Sequence, residues 1–458
     1  MPHQKKIKTG VNQQAGVRRR ARMFLVLAMV AAIVSGNMLV KVEAAVGDLD
    51  PTFSGDGKQR TTFGLRSESA HAVAIQTDGK IVVAGFTFNN MTRSDFAVLR
   101  YNTDGTLDTT FSGDGKQTTE VDGNDFAYGV AIQSDGKIVL AGEVGEGGLK
   151  GFGLVRYNSD GSLDTTFDGD GKVKTDFGLE AAARGIVIQP NGKIVLGGFT
   201  FDPFDFAAAR YNTNGSLDTT FSGDGKQITN IGSNTDDGAT AIAIQPNGRI
   251  VLVGSSTGEG EPPGFAVVRY TTTGALDTTF SGDGVLVTFT GFGSIALAVA
   301  IQPNSRIVVG GNTFTGFGES DFILVRYNGN GSLDDGTAND TTPHDMFGTG
   351  GIVTTNFFSN NDQVNGLAIQ TDGKIVAAGI AAHQNFTNLD YALARYNVDG
   401  TLDMTFSGDG KQTTDFGGGN RDEAQAVAIQ PDGKIVLAGF LLKNNGDFDI
   451  TLARYLGD

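Results

Sequence analysis

The chain has no cysteine and no tryptophan, and only 4 histidines and 10 prolines among its 458 residues. Without cysteine there is no disulfide scaffold, no thiolate metal site, no cysteine nucleophile and no lipidated N-terminal cysteine. A basic surface is lacking too. The formal net charge is -16, and Lys5, Lys6, Lys8 and Arg18 to Arg20 all precede residue 45, so the remainder is more acidic still. Binding a polyanion needs the opposite balance, which removes nucleic acid from the expected partners. The histidines His3, His71, His344 and His383 are widely separated. There is no Gly-x-Ser-x-Gly elbow with nearby partners, no His-Glu-x-x-His and no phosphate loop. An enzyme is therefore not the first expectation, although paired carboxylates in so acidic a chain leave acid–base chemistry as the rival.

Glycine is plentiful, with 67 residues, and so is phenylalanine, with 31. The organising stretch is Ala72–Gly85, AVAIQTDGKIVVAG, in which two apolar runs flank an Asp78-Gly79 turn, the pattern of a tight β-hairpin. It recurs in seven units. The segment Leu-Asp-x-Thr-Phe-x-Gly-Asp-Gly starts at Leu49, Leu107, Leu163, Leu217, Leu276 and Leu402, with a degenerate copy at Leu333. Units of this size, filled with short strand signals and Gly-rich turns, predict an all-β, seven-bladed β-propeller of four-stranded antiparallel blades. In the first unit, strand a is expected at His71–Gln76, b at Lys80–Gly85, c at Phe96–Asn102 and d at Lys116–Val121.

The ends of the chain are complementary. Leu49–Phe63 offers a d strand with no preceding c, and Arg454 to Asp458 ends a c strand with no following d. The N-terminal d strand is expected to complete the last blade and so close the ring without a free sheet edge. Before it, residues 1–45 place a basic stretch ahead of Met23–Val34, MFLVLAMVAAIV, and the small-residue site Val42-Glu43-Ala44. That is the pattern of a cleaved export signal, with an uncleaved anchor or a twin-arginine signal as alternatives. The expectation is an exported monomer at residues 46–458 that is secreted, periplasmic or at the cell surface, with no membrane span once the signal is cleaved.

The repeat, AVAIQTDGKIVVAG…DFAVLRYNTDGTLDTTFSGDGK, resembles the delta-60 repeat family of bacterial propeller-like proteins. The resemblance runs from about Leu49 to the C-terminus and implies the fold but no activity.

A residue present in every unit is expected to serve every unit structurally, whereas a site should come from positions where the units differ. Each unit ends strand c with Arg-Tyr and follows it with Leu-Asp, which predicts a repeated ion pair such as Arg100 with Asp108 and, across the seam, Arg454 with Asp50. The Gly-Asp-Gly loops suggest Ca²⁺ only faintly, with Asp168-Gly169-Asp170-Gly171 the nearest match. By contrast, one position early in strand a changes with every unit: His71, Tyr128, Arg184, Thr240, Leu297, Asn365 and Gln425. Strand a is innermost in a propeller, so these side chains are expected near the axial mouth, where His71, Tyr128, Arg184, Thr240, Asn365 and Gln425 would bind a ligand. Three residues earlier stand Glu68, Asp125, Asp237, Asp362 and Asp422, expected as a partial acidic ring for a cation, with capping of the d–a turns as the plainer alternative. The enlarged loop Asp334–Gly351, with Asp335, Asp340, His344 and Asp345, is a further metal or partner candidate. The functional expectation is a binding or scaffold module for an extracellular protein or small ligand, acting through the varied d–a and b–c loops. Its rivals are a hydrolase or lyase working at the axial mouth and a purely structural surface protein.

Overall fold

The computed structural model describes residues 44–457, apart from 65–66, 91–92, 233–235, 259–260, 317, 338–344, 359–360, 384–387 and 418–420. The proposed export segment and the loop residues Asp340 and His344 lie outside the described residues. From residue 45 onward the chain forms seven four-stranded antiparallel sheets. Blade one comprises Ser67–Ile75, Ile81–Asn90, Arg93–Tyr101 and Lys116–Thr119, as strands a to d. Blades two to six occupy 125–175, 181–229, 236–288, 294–355 and 362–414. Blade seven takes strands a to c from Asp422–Ile429, Ile435–Leu442 and Phe448–Tyr455, and its d strand from Lys58–Thr61 at the other end of the chain.

That last pairing closes the ring in the register Lys58 with Ala453 through Thr61 with Ile450. Each strand a packs beside the strands a of both neighbouring blades, so the seven line a common axis. The apolar runs of strands b and c are explained by where the core lies. It is divided into clusters between adjacent blades, such as Val139, Phe152, Ala181 and Leu196 between blades two and three. An equivalent cluster, with Ile81, Val83, Val436 and Ile450, lies between blades seven and one. Both faces of each sheet are thereby covered, which removes the alternation of a half-exposed strand.

The expected bounds of all four strands of blade one need correction. Strand a is Ser67–Ile75 rather than His71–Gln76, strand b is Ile81–Asn90 rather than Lys80–Gly85, strand c is Arg93–Tyr101 rather than Phe96–Asn102, and strand d ends at Thr119 rather than Val121. His71 is interior to its strand because the strand continues past a bulge, which leaves no local trace in hydrophobicity.

The repeated arginines and aspartates join these blades. Arg100 Nε lies 2.7 Å from Asp108, and the equivalent arginines of the other blades approach their own aspartates, Arg454 reaching Asp50 at 2.8 Å across the seam. Each guanidinium also covers a phenylalanine ring, as Arg100 does Phe111 at 4.8 Å and Arg454 does Phe53 at 4.7 Å. A further N–H of Arg100 reaches the carbonyl of Ser159 in the next blade at 2.5 Å, and Arg454 donates likewise to Thr103 of blade one. Burial alone would raise the Asp108 carboxyl, but hydrogen bonds from Thr110 and Lys80 and the charge of Arg100 hold it well below the usual range.

Candidate functional site

Every strand a carries one β-bulge at the same place. The register jumps between Ala70 and Ala72, Ala127 and Gly129, Ala183 and Gly185, Ala239 and Ala241, Ala296 and Ala298, Val364 and Gly366, and Ala424 and Ala426. The skipped residues are His71, Tyr128, Arg184, Thr240, Leu297, Asn365 and Gln425, the seven that vary from blade to blade. A bulge leaves its extra residue unpaired and re-aims the side chain. The strand-b residue beside it is always glycine, and a Cβ on Gly85 would stand 1.8 Å from the Ser69 carbonyl oxygen, with a similar clash at Gly254 against Gly238. That glycine lets strand a bend toward the axis.

All seven bulged side chains line a single axial cavity of about 450 Å³, with small or aliphatic neighbours such as Ala72, Gly129 and Ile186 completing its wall. The wall is chemically uneven. On one side the His71 ring stacks on Phe86 at 5.1 Å and meets Tyr128 edge-on at 5.2 Å. The Arg184 guanidinium lies 4.0 Å above the Tyr128 ring and 5.1 Å from that of Phe199. Its carboxylate neighbour, the buried Glu143, is 3.8 Å away and is already paired with Lys150 at 2.7 Å. Burial, reinforced by the charge of Arg184, lowers the His71 pKa to about 4, so the imidazole is neutral near pH 7, with Nε2 3.0 Å from Ser69 Oγ.

On the other side the polar groups largely satisfy the scaffold. Thr240 donates to the Ala296 carbonyl and Asn365 to that of Ala424, each at 2.8 Å, and the Gln425 amide reaches Glu423 at 2.8 Å. Leu297 supplies an apolar patch.

The acidic residues expected at the mouth are not on this wall. Glu68, Asp125, Asp237, Asp362 and Asp422 are all fully buried at the start of strand a. Each accepts a backbone N–H from its own d–a turn: Phe63, Val121, Ile231, Phe357 and Phe416, at 2.5 to 3.1 Å. They therefore cap their own d–a turns, the plainer of the two readings of the sequence, and the acidic ring expected at the mouth is not among the residues that line the cavity. Burial, reinforced by like charges nearby and only partly offset by these hydrogen bonds, raises Asp125 to about 6 and Asp362 and Asp422 to about 7.

In the c–d loops, Asp114 and Asp170 each accept the amide two residues on, at 2.9 Å, as turn-forming aspartates do. In the enlarged loop, Asp345 pairs with Arg306 at 2.8 Å and Asp335 accepts the Thr337 amide at 2.9 Å. Sequence reasoning missed Glu143, near Arg184, and the rings of Phe86 and Phe199, which meet His71 and Arg184 respectively. The signal was present in the residue after the strand-b glycine, which reads Phe86, Glu143, Phe199, Ser255, Asn312, Ile380 and Phe440.

A family model described as a domain of unknown function (DUF5122) β-propeller matches residues 76–111, 133–167, 189–221, 245–280, 302–336, 370–406 and 430–458, together more than half of the chain. The chain belongs to the DUF5122 β-propeller family. No curated protein matches it in sequence. Among solved structures it is similar in fold to a protein of unknown function from Dyadobacter fermentans, at 11% identity and TM-score 0.44 over 88% of this chain and 100% of that one. It is also similar to a catalytically inactive virginiamycin B lyase from Staphylococcus aureus, at 10% identity and TM-score 0.48 over 86% and 98% of the two chains. A polysaccharide lyase, Uly1, matches at 11% identity and TM-score 0.47 over 92% and 94%. These likenesses concern the propeller fold alone.

Proposed function

We propose that this DUF5122 propeller, with repeats of the delta-60 type, is an exported monomeric binding module. Its axial channel takes a small polar ligand, or the exposed end of an extracellular partner, entering from the face of the d–a and b–c loops. One observation carries the proposal: seven side chains, one from each blade and all different, are turned by identical bulges into one cavity. The same repeats keep their clamps and turns nearly constant. Variation gathered in a shared cavity and the loops beside it, on a rigid frame, is the arrangement of a recognition site.

The wall chemistry narrows the ligand. Arg184 presents a positive charge, Tyr128 and His71 present flat rings, and the described lining residues include no carboxylate. A ligand with one anionic group and a flat or apolar face, such as a sugar acid or a hydroxy acid, fits that combination. The basic, apolar-cored leader supports export.

The test is calorimetric titration and thermal melting of the purified protein against glucuronate, citrate, neutral disaccharides and short acidic peptides. Anionic members should bind and raise the melting temperature, and Arg184→Gln should abolish the effect. Binding that survives both Arg184→Gln and Tyr128→Ala would place recognition elsewhere. The enzymatic rival rests on the neutral His71 imidazole, and turnover lost in His71→Ala would favour it.

A further inference from the structure

The blades can be compared at their junctions as well as at their bulges. Blades one, three, five, six and seven carry an aspartate at the same position of strand c: Asp95, Asp205, Asp321, Asp390 and Asp449. Blade one follows its strand d with Glu120, which reaches Arg93 at 3.5 Å. Asp205 accepts a hydrogen bond from the Asn230 side chain at 2.9 Å, and Asp321 one from Asn356 at 2.7 Å. Both asparagines directly follow their own strand d. Asp449 is met by cations instead, Arg60 and Lys443, the latter at 2.8 Å. Between blades six and seven the residue following strand d is Asp415, so a carboxylate stands where blades three and five place an amide donor.

Asp390, Asp415 and Asp422 each offer a carboxylate oxygen, and these three atoms lie within 4.8 Å of one another. Asp390 is 5% exposed and Asp422 is 0% exposed. Their Oδ2 atoms are occupied, that of Asp390 by His383 Nε2 at 2.7 Å and that of Asp422 by the Phe416 amide at 2.6 Å. Their Oδ1 atoms are buried and accept no hydrogen bond, which leaves them as the oxygens free for the gap between the three side chains. Asp415 closes the outer side, its Oδ1 accepting the Gly417 amide at 2.5 Å. The nearby ammonium of Lys58 donates to the main-chain carbonyl of Asp415 at 3.2 Å and lies 5.9 Å from the centre of the Phe416 ring.

Three carboxylates this close, two of them removed from water, repel one another unless positive charge stands between them. We propose that Asp390, Asp415 and Asp422 bind one divalent cation, with Ca²⁺ the ion they fit best. The donors are hard oxygens, which favour Ca²⁺ or Mg²⁺ over zinc or copper. Oxygens no more than 4.8 Å apart can share one ion with bonds of roughly 2.3–2.6 Å, and Ca²⁺ accepts an irregular set of oxygens where Mg²⁺ demands a near-ideal octahedron. The exposed side of Asp415 leaves room for the waters that complete a Ca²⁺ shell. Such an ion would tie strand c of blade six and the turn after its strand d to strand a of blade seven, beside the strand that closes the ring.

The test uses the full chain, stripped with EDTA and desalted, titrated with CaCl₂ and separately with MgCl₂, with melting curves in parallel. Wild-type protein should bind one Ca²⁺ more tightly than Mg²⁺ and melt higher in its presence. Asp415→Asn, which restores the amide used by blades three and five, should lose both the binding heat and the melting shift. It should also melt no lower than the stripped wild type. Asp415 is exposed, so this variant is expected to fold even where Asp422→Asn does not. No binding heat with millimolar CaCl₂ would overturn the proposal, leaving a shared proton between the carboxylates. An unchanged Ca²⁺ response in Asp415→Asn would overturn it too, by assigning that response to other acidic loops.

Discussion

Replacing Arg454 with methionine tests how the ring is held shut. Arg454 is 2% exposed, and its guanidinium lies 2.8 Å from Asp50, which is itself 1% exposed. It also donates to Thr52 Oγ1 at 3.0 Å and to the Thr103 carbonyl of blade one, and it covers Phe53. Methionine keeps most of the apolar stem, so the packing loss is small and the electrostatic loss dominates. Asp50 would keep Lys434 at 3.4 Å and its hydrogen bonds from Thr52. Breaking a buried pair by removing one partner costs about 3–5 kcal/mol, and the remaining lysine argues for the lower end, roughly 3 kcal/mol. Arg210→Met, inside blade three, has matching partners in Asp218 at 2.6 Å and Thr220 at 3.1 Å, and serves as the control. Urea unfolding of both variants should show similar losses of stability. Only Arg454→Met should also open the seam to limited proteolysis between the terminal strands. A loss below about 1 kcal/mol in both would refute the clamp as a source of stability. A seam no more open to protease than in the control would refute its role in closure.

Gly254→Ala should be among the costliest single-methyl additions, because the new Cβ would stand 1.8 Å from the Gly238 carbonyl oxygen; melting should fall by an amount corresponding to about 3 kcal/mol, and an unchanged melting temperature would contradict the bulge geometry. His71, with its pKa lowered to about 4, takes up a proton more readily unfolded than folded, so its contribution to stability is intact above about pH 6.5 and declines as pH falls toward 4. The difference in stability between wild type and His71→Gln, followed from pH 7.5 to 4, should shift in favour of the glutamine variant, and a flat difference would count against a buried neutral imidazole. Asp362, raised to about 7 by burial, behaves oppositely: the folded state holds its proton longer, so its contribution is present below about pH 4 and is lost as pH rises through 7. Asp362→Asn should therefore gain stability over wild type between pH 4 and 7 and keep that gain at pH 8, and a variant no more stable at pH 8 than at pH 4 would contradict it.

The propeller and its closure were legible because seven copies repeat one pattern, and because the two ends lack what the other supplies, as Lys58 paired with Ala453 makes plain. The variable position was legible as a position but not as a bulge. A bulge is a matter of register between strands, and Ala70-His71-Ala72 looks like any other stretch of strand. The small residues flanking each varied one, and the constant glycine across from it, were the available trace. The acids were legible only as two alternatives, for a related reason. Glu68 and Asp125 stand three residues before the bulged position, and the sequence offered both an acidic ring and capping of the d–a turns; the hydrogen bonds decide for capping. The meeting of Asp390, Asp415 and Asp422 could not be seen in sequence, since it joins two strands and a turn of two blades and depends on their alignment.

The account rests on the axial cavity as the place of recognition, and His71 reports from its wall. The chain has only 4 histidines, so ¹³C-labelled imidazole resonances can be resolved and assigned by substitution. The direct measurement is the His71 Cε1 resonance during titration with whichever anionic ligand raises the melting temperature. If the channel holds the ligand, this resonance shifts in step with binding while that of His383, which follows strand b of blade six and is paired with Asp390, stays in place. A ligand that stabilises the protein but leaves His71 unmoved would show that the channel is not where this propeller binds.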